Sequence, residues 1–195
     1  METERSPLRG PAREQAILDA TIALVAEVGY ERVTVNAIAA RAHASKATMY
    51  RRWPGKADLV ADALRRHADG GGGELPDTGS LRGDLLFVVG AIASTFDSAG
   101  RGPTLIGLVE ALRADPALRE LVGRQIDERS RQEGMLIARR AAARGESVDE
   151  TRAPAAVGLA VAHLFLRTIL GGTPPSAAEQ QAFVDQTLLP LITAS

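Results

Sequence analysis

The sequence predicts an all-α protein of about nine helices, divided into a small N-terminal part and a larger C-terminal part. Three observations predict it. Apolar residues recur at three- and four-residue spacing through most of the 195 residues, the period of a helix with one buried face. Helix starts and stops recur with them, Ser, Thr or Asp before an apolar run and Gly after it. Runs of alternating β-branched and aromatic residues, the mark of a half-buried strand, are missing.

The first helix opens at Pro11, which suits a first turn because its missing N–H would find no partner there anyway. Ile17, Thr21, Leu24 and Val28 share one face, and Gly29 can end the helix in the left-handed conformation. Thr34 caps a short helix carrying Val35, Ile38, Ala39 and Ala42, and Ser45 caps another to about Arg52. Pro54-Gly55 is a turn, and 56–68 is helical again. Residues 69–79, with four consecutive glycines, read as a flexible hinge, so that 1–68 and 80–195 form the two domains.

Ser80 then caps a helix to about Phe96, and 104–113 is short and apolar on most faces. Asp115-Pro116 opens a long helix to about Arg144, closed by Gly145. A start near 151–154 leads to Leu170. Ser176-Ala-Ala-Glu179 is a capping box, in which Ser and Glu each satisfy the other's free N–H. It opens the last helix, which Pro190 should kink or shorten.

Composition narrows the function. The chain has no cysteine, which removes disulfides, thiolate metal sites and Cys nucleophiles. His43, His67 and His163 form no ligand-spaced pair. The glycines at 70–73 lack the Lys-Ser/Thr that a phosphate-binding loop needs. No paired carboxylates stand in a recognisable setting, so an enzyme is not expected, and no cofactor or metal is. The N-terminal stretch lacks the apolar run of a signal peptide, and no 18-residue run is uninterruptedly apolar. The expected location is the cytoplasm, away from membranes.

The net charge of −1 says nothing about nucleic acid; the local distribution does. Two short capped helices joined by two or three residues have the layout of a helix-turn-helix, whose second helix enters the major groove. Between positions 41 and 56 lie Arg41, Lys46, Arg51, Arg52 and Lys56 and no acidic residue, and this window holds the chain's only two lysines. Ser45 and Thr48 offer small hydroxyls, and Tyr50 and Trp53 a polar tip on an apolar body. A solvated basic face on any small helical domain would show the same charges.

Residues 34–59, reading TVNAIAARAHASKATMYRRWPGKADL, resemble the N-terminal domain of TetR-family regulators. The match lies in the Thr-Val opening of the second helix, the Ile-Ala pair that packs it, a Ser-x-x-Thr-x-Tyr recognition helix, the aromatic after it, and Lys-x-x-Leu. It covers about 50 residues, Glu14 to Leu64. The resemblance implies a two-domain all-α homodimer that binds double-stranded DNA and whose C-terminal domain takes a small-molecule effector. Carried over by position, Lys46, Ala47 and Thr48 face bases, Thr34, Ser45, Tyr50 and Lys56 hold phosphates, and Ile38, Met49 and Trp53 pack the domain. One departure is His43, at a turn position where the family often has Gly.

Beyond Gly79 the resemblance is general, and the residues must speak for themselves. The 155–170 helix is apolar around nearly its whole circumference, which requires burial on more than one side. With the apolar face of the last helix it makes a candidate dimer seam, carried by Val161, Phe165, Phe183, Leu188 and Leu191; burial inside one protomer is the alternative. The long helix has an expected inward stripe of Leu118, Val122, Gln125, Arg129, Gln132 and Leu136, apolar at the ends and polar in the middle. Gln125, Arg129 and Gln132 are therefore candidate ligand contacts. Glu110, His163 and Arg167 are candidate polar neighbours, and Phe87, Phe96 and Met135 candidate apolar walls. The alternative is that this section simply faces solvent. The expected function is a ligand-responsive repressor that binds a palindromic operator as a dimer. A sequence-indifferent DNA-coating protein would lack its specificity ratio.

Overall fold

The computed structural model describes residues 10–68, 75–98 and 103–193. Among them the chain is all helix and connecting turns. The helices are α1 (Pro11–Val28), α2 (Val35–Arg41), α3 (Lys46–Arg52), α4 (Lys56–Ala68), α5 (Leu81–Ser98), α6 (Pro103–Ala114), α7 (Pro116–Ala143), α8 (Ala153–Gly171), α9 (Ala177–Phe183) and α10 (Leu189–Thr193). α9 and α10 are joined without a break by a π-helical turn, Val184–Leu188, so the described residues form nine helical rods. The turn has a local cause. Pro190 has no N–H to return to residue 186 and crowds that carbonyl. The ladder widens just before it, and the Leu189 N–H reaches back five residues to the Val184 carbonyl.

The caps form as their residues dictate. Thr34, Ser45 and Asp115 each accept a backbone N–H from the first turn of the following helix. Ser176 and Glu179 make both bonds of the capping box.

Apolar side chains collect in three cores. The first joins α1 to α4 and contains Ile17, Leu18, Ile38, Met49, Trp53 and Leu59. The largest joins α5, α7, α8 and the last rod. A third cluster bridges the other two, with Tyr30, Val60 and Ala61 on one side and Ala111 and Leu118 on the other. The small three-helix unit and the large body thus share α4. Of the expected hinge, residues 69–74 lie outside the described residues. Residues 75–79 are pinned to the body: Arg140 donates to the carbonyls of Leu75 (2.8 Å) and Pro76 (3.0 Å), and Arg144 pairs with Asp77.

The inward stripe expected on α7 requires correction. Leu118 is buried, Gln125 and Arg129 are half-buried, and Gln132 and Leu136 are exposed. The buried face of the second half is instead Ser130, Gly134, Ile137, Ala138 and Ala141. At about 100° per residue this face is rotated roughly 140° from Leu118. The partners change along the rod: α4 and α6 pack its start, and α5 and α8 its end. At the α7–α8 crossing Gly134 lies against the backbone of Ala153 and Pro154, so closely that a Cβ would come 2.5 Å from the Pro154 nitrogen.

Candidate nucleic-acid interface

The reader unit is built so that one side of α3 is core and the other is free. Met49 is buried in the first core, and Trp53 follows it there, its indole N–H donating to Asp62 at 3.0 Å. On the opposite side Lys46, Ala47, Tyr50 and Arg51 are all exposed. Their spacing of one, three and one residues makes a single ridge along a helix. Tyr50 is 51 % exposed, an unusual position for so large a ring without a partner. Lys46 and Arg51 have no carboxylate within ion-pair distance among the described residues.

The other expected contact residues are placed as follows. Thr34 and Ser45 are exposed at the caps of α2 and α3. Thr48 is half-buried, its hydroxyl 2.8 Å from that of Ser45. Lys56 is turned inward: its ammonium donates to the Tyr30 carbonyl at 3.1 Å and lies 4.1 Å over the Tyr30 ring. Arg51 was not among the expected contacts, yet it is exposed on the same ridge. Its signal was present, four residues after Ala47 and five after Lys46 on the same ridge.

The turn between α2 and α3 is a Schellman motif. The Ala44 N–H reaches the Ala39 carbonyl (2.9 Å) and the His43 N–H the Ala40 carbonyl (3.3 Å). His43 occupies the left-handed position, with φ 49°, where glycine is the usual residue. Its carbonyl accepts a bond from Arg13 at 3.3 Å.

Reader and body meet at Tyr30. Its hydroxyl donates to Asp115, the cap of α7. Burial and the Asp115 carboxylate together push the phenol well above its ordinary range. The same bond, with the N–H groups of Leu118 and Ala117, holds Asp115 below the carboxylate range. Beside this joint is a cleft of about 580 Å³ between the α1–α2 turn and α6, with Glu31, Arg32, Glu110 and Arg113 on its walls.

The expected effector residues are dispersed. Glu110 stands at that cleft, and Phe87 is exposed. Gln132 donates to Glu128 at the surface, Arg167 pairs with Glu179, and Arg129 pairs with Glu133. Phe96 packs on Phe165 with ring centres 5.8 Å apart, and His163 stacks on Phe183 at 4.0 Å. Met135 is half-buried. Burial, with the nearby Arg167, holds the His163 imidazole below its usual range.

Of the expected seam residues, Leu188 is corrected. It is fully buried in the protomer's own core and has no surface to offer a second chain. Val161, Phe165, Phe183 and Leu191 are half-buried. The outer row of α8 is Leu159, Leu166 and Leu170, the last 76 % exposed. α8 is long and apolar enough to cross a membrane by length and composition, with mean hydropathy 1.6. Its other face, with Ala156, Val157, Ala160 and Leu164, lies in the body's core.

A small helical reader with a free, basic outward ridge, joined through a shared helix to a larger helical body, defines a two-part helix-turn-helix DNA-binding protein. Comparisons with known proteins specify the family. Residues 17–63 match the model for bacterial regulatory proteins of the tetR family, and 75–187 the model for the tetracyclin repressor-like C-terminal domain. An uncharacterized HTH-type transcriptional regulator of Mycobacterium tuberculosis is 37 % identical, over 94 % of this chain and 89 % of its own. A DNA-binding transcriptional repressor TetR of Mycobacteroides abscessus is 34 % identical, over 94 % of this chain and 96 % of its own. Among solved structures, Salmonella enterica GusR superposes with TM-score 0.67 at 17 % identity, covering 96 % of this chain and 99 % of its own. The chain belongs to the TetR family of transcriptional regulators, proteins that bind DNA and are not enzymes.

Proposed function

We propose that this regulator represses transcription by binding a near-palindromic operator as a homodimer, and that a small molecule held in the C-terminal body releases it. The observation that carries the reading is the Lys46–Ala47–Tyr50–Arg51 ridge, exposed on one side of a helix whose other side is core. A ridge of this kind fits a major groove, with Lys46, Ala47 and Thr48 towards base edges. Thr34, Ser45, Tyr50 and Arg51 then hold phosphates, and Lys56 serves the joint with the body. Two such ridges about 34–36 Å apart read two half-sites one turn apart.

The exposed row Leu159, Leu166 and Leu170 supports the dimer, because a helix apolar on both faces is stable in water only with both faces covered. Effector action is a population shift: a ligand that favours a differently splayed pair of readers draws the protein off DNA. The half-buried residues Phe96, Gln125, Arg129, Met135 and His163 are the preferred contacts for it. Selection of bound duplexes from a random pool by the purified protein tests the reading. A two-fold symmetric consensus is the expected result; recovery of unrelated sequences with equal affinity would sink it.

A further inference from the structure

The five cations of the reader segment are not equally available to DNA. Among the described residues Lys46 and Arg51 have no carboxylate partner, and Lys56 is held by an uncharged carbonyl. The remaining two are ion-paired by carboxylates of α1. Glu27 grips Arg41 through two bonds of 2.5 and 2.6 Å. Glu14 holds Arg52 at 2.9 Å and reaches Arg66 of α4 at 3.7 Å. Arg51 and Arg52 are neighbours in sequence and both are exposed, but only Arg52 is paired with a carboxylate of α1 among the described residues. The partner of Arg41 lies 14 residues away in sequence and that of Arg52 lies 38 away. A segment with no acid of its own thus acquires two from tertiary structure.

Sequence-independent attraction to DNA grows with the number of cations that reach phosphates. Each contributes about 0.9 to the slope of log K against log salt, or about eightfold in affinity per tenfold change in salt. Specificity is the margin between operator and bulk DNA, so every spare cation that grips any phosphate erodes it.

We infer that Glu14 and Glu27 determine specificity by withholding Arg52 and Arg41 from the DNA backbone, so that the reader's non-specific grip stays weak. The inference rests on DNA binding by the α3 ridge. Glu27 suits the role: the bond from Arg41 keeps it below the ordinary carboxylate range, so it is ionised wherever the protein works.

The test is a double-mutant cycle on the full chain, read as salt dependence of binding to a random-sequence duplex and to the duplex selected above. Glu14→Gln should steepen the random-duplex slope by about 0.9 per protomer. Arg52→Gln alone should leave the slope unchanged, and the double variant should return to the parental value, a cancellation that simple removal of an acidic charge would not give. Glu27→Gln with Arg41→Gln repeats the cycle at an independent site and decides the matter if Glu14 variants fail to fold, as judged by helicity and thermal midpoint. A parental slope in both folded Glu→Gln variants overturns the inference, as does an Arg52→Gln variant that alone flattens the slope. A parent that does not prefer the selected duplex overturns the DNA reading instead, which separates the two failures.

Discussion

The reader and the body hold their helices together in opposite ways. In the reader, short helices stand apart around bulky side chains, Ile17, Leu18, Ile38, Met49 and Trp53, and are tied at the rim by Arg–Glu pairs. In the body, α7 and α8 approach closely where Gly134 lies against the backbone of Ala153 and Pro154. The difference decides what a substitution does. The reader keeps its outward ridge out of its core, so changes there are felt in binding. The body's close crossing leaves no room for a methyl group, so changes there are felt in stability.

The largest expected effect lies at that crossing. Gly134→Ala puts a carbon 2.5 Å from the Pro154 nitrogen, and backbone cannot step aside as a side-chain end can. The expected loss is about 2–3 kcal/mol, roughly 5–10 °C in thermal midpoint. Gly123, on the same helix with nothing within 4 Å of its ideal Cβ, is the control. Gly123→Ala should gain about 0.5–1 kcal/mol from helix propensity. Equal responses by calorimetry would break the contrast between close and open packing.

Next comes Asp84, a fully buried carboxylate at the start of α5. Burial would raise its pKa, but the Thr78 N–H and hydroxyl and Arg144 outweigh burial and hold it below the ordinary range. A carboxylate depressed in the folded state stabilises the fold above its ordinary pKa of about 3.9, and that contribution is lost as pH falls through the lower folded value. Asp84→Asn should therefore cost about 2 kcal/mol at neutral pH and make stability depend less on pH below about 4. Unfolding curves at pH 3 and pH 7 check both; an unchanged acid limb would show that the network carries no titrating charge.

How much of this was legible beforehand follows from the range of the interactions. α2, α3 and their caps are set by residues within one turn of each other, and the core positions Ile38, Met49 and Trp53 follow from helical spacing. Glu14 and Glu27 could not be placed beside Arg52 and Arg41 without the packing of α1. The stripe on α7 failed for a similar reason: a 28-residue helix changes partners midway, and no periodicity reports which partner stands where. Gly134 did carry a signal, a glycine inside a long helix, but one that could be read only once α8 is known to face it.

In the reader the sharpest comparison is between adjacent arginines. Arg51→Gln should weaken binding to any duplex about tenfold, or about 1.4 kcal/mol, with a shallower salt slope. Arg52→Gln should change it less than twofold by the same titration, because Arg52 is already paired with Glu14. Equal losses would place both arginines on DNA and remove the distinction between a paired and an unpaired arginine.

The smallest effect concerns one motif that the two regions share. α7 ends as α2 does: the Glu146 N–H bonds the Ala141 carbonyl and the Gly145 N–H the Ala142 carbonyl. The left-handed residue is Gly145 in the body, φ 79°, and His43 in the reader, φ 49°. Identical hydrogen bonds are thus made with and without a Cβ in a region that penalises one by about 1–2 kcal/mol. Gly145→Ala should cost about 1 kcal/mol, and His43→Gly should gain about 0.5–1 kcal/mol, the freedom of an unfolded glycine offsetting part of the relief. The Arg13 bond to the His43 carbonyl survives the change because it uses backbone, so DNA affinity should not move. A His43→Gly variant less stable than the parent would mean that the imidazole itself braces the turn, and the strain would then be the lesser term.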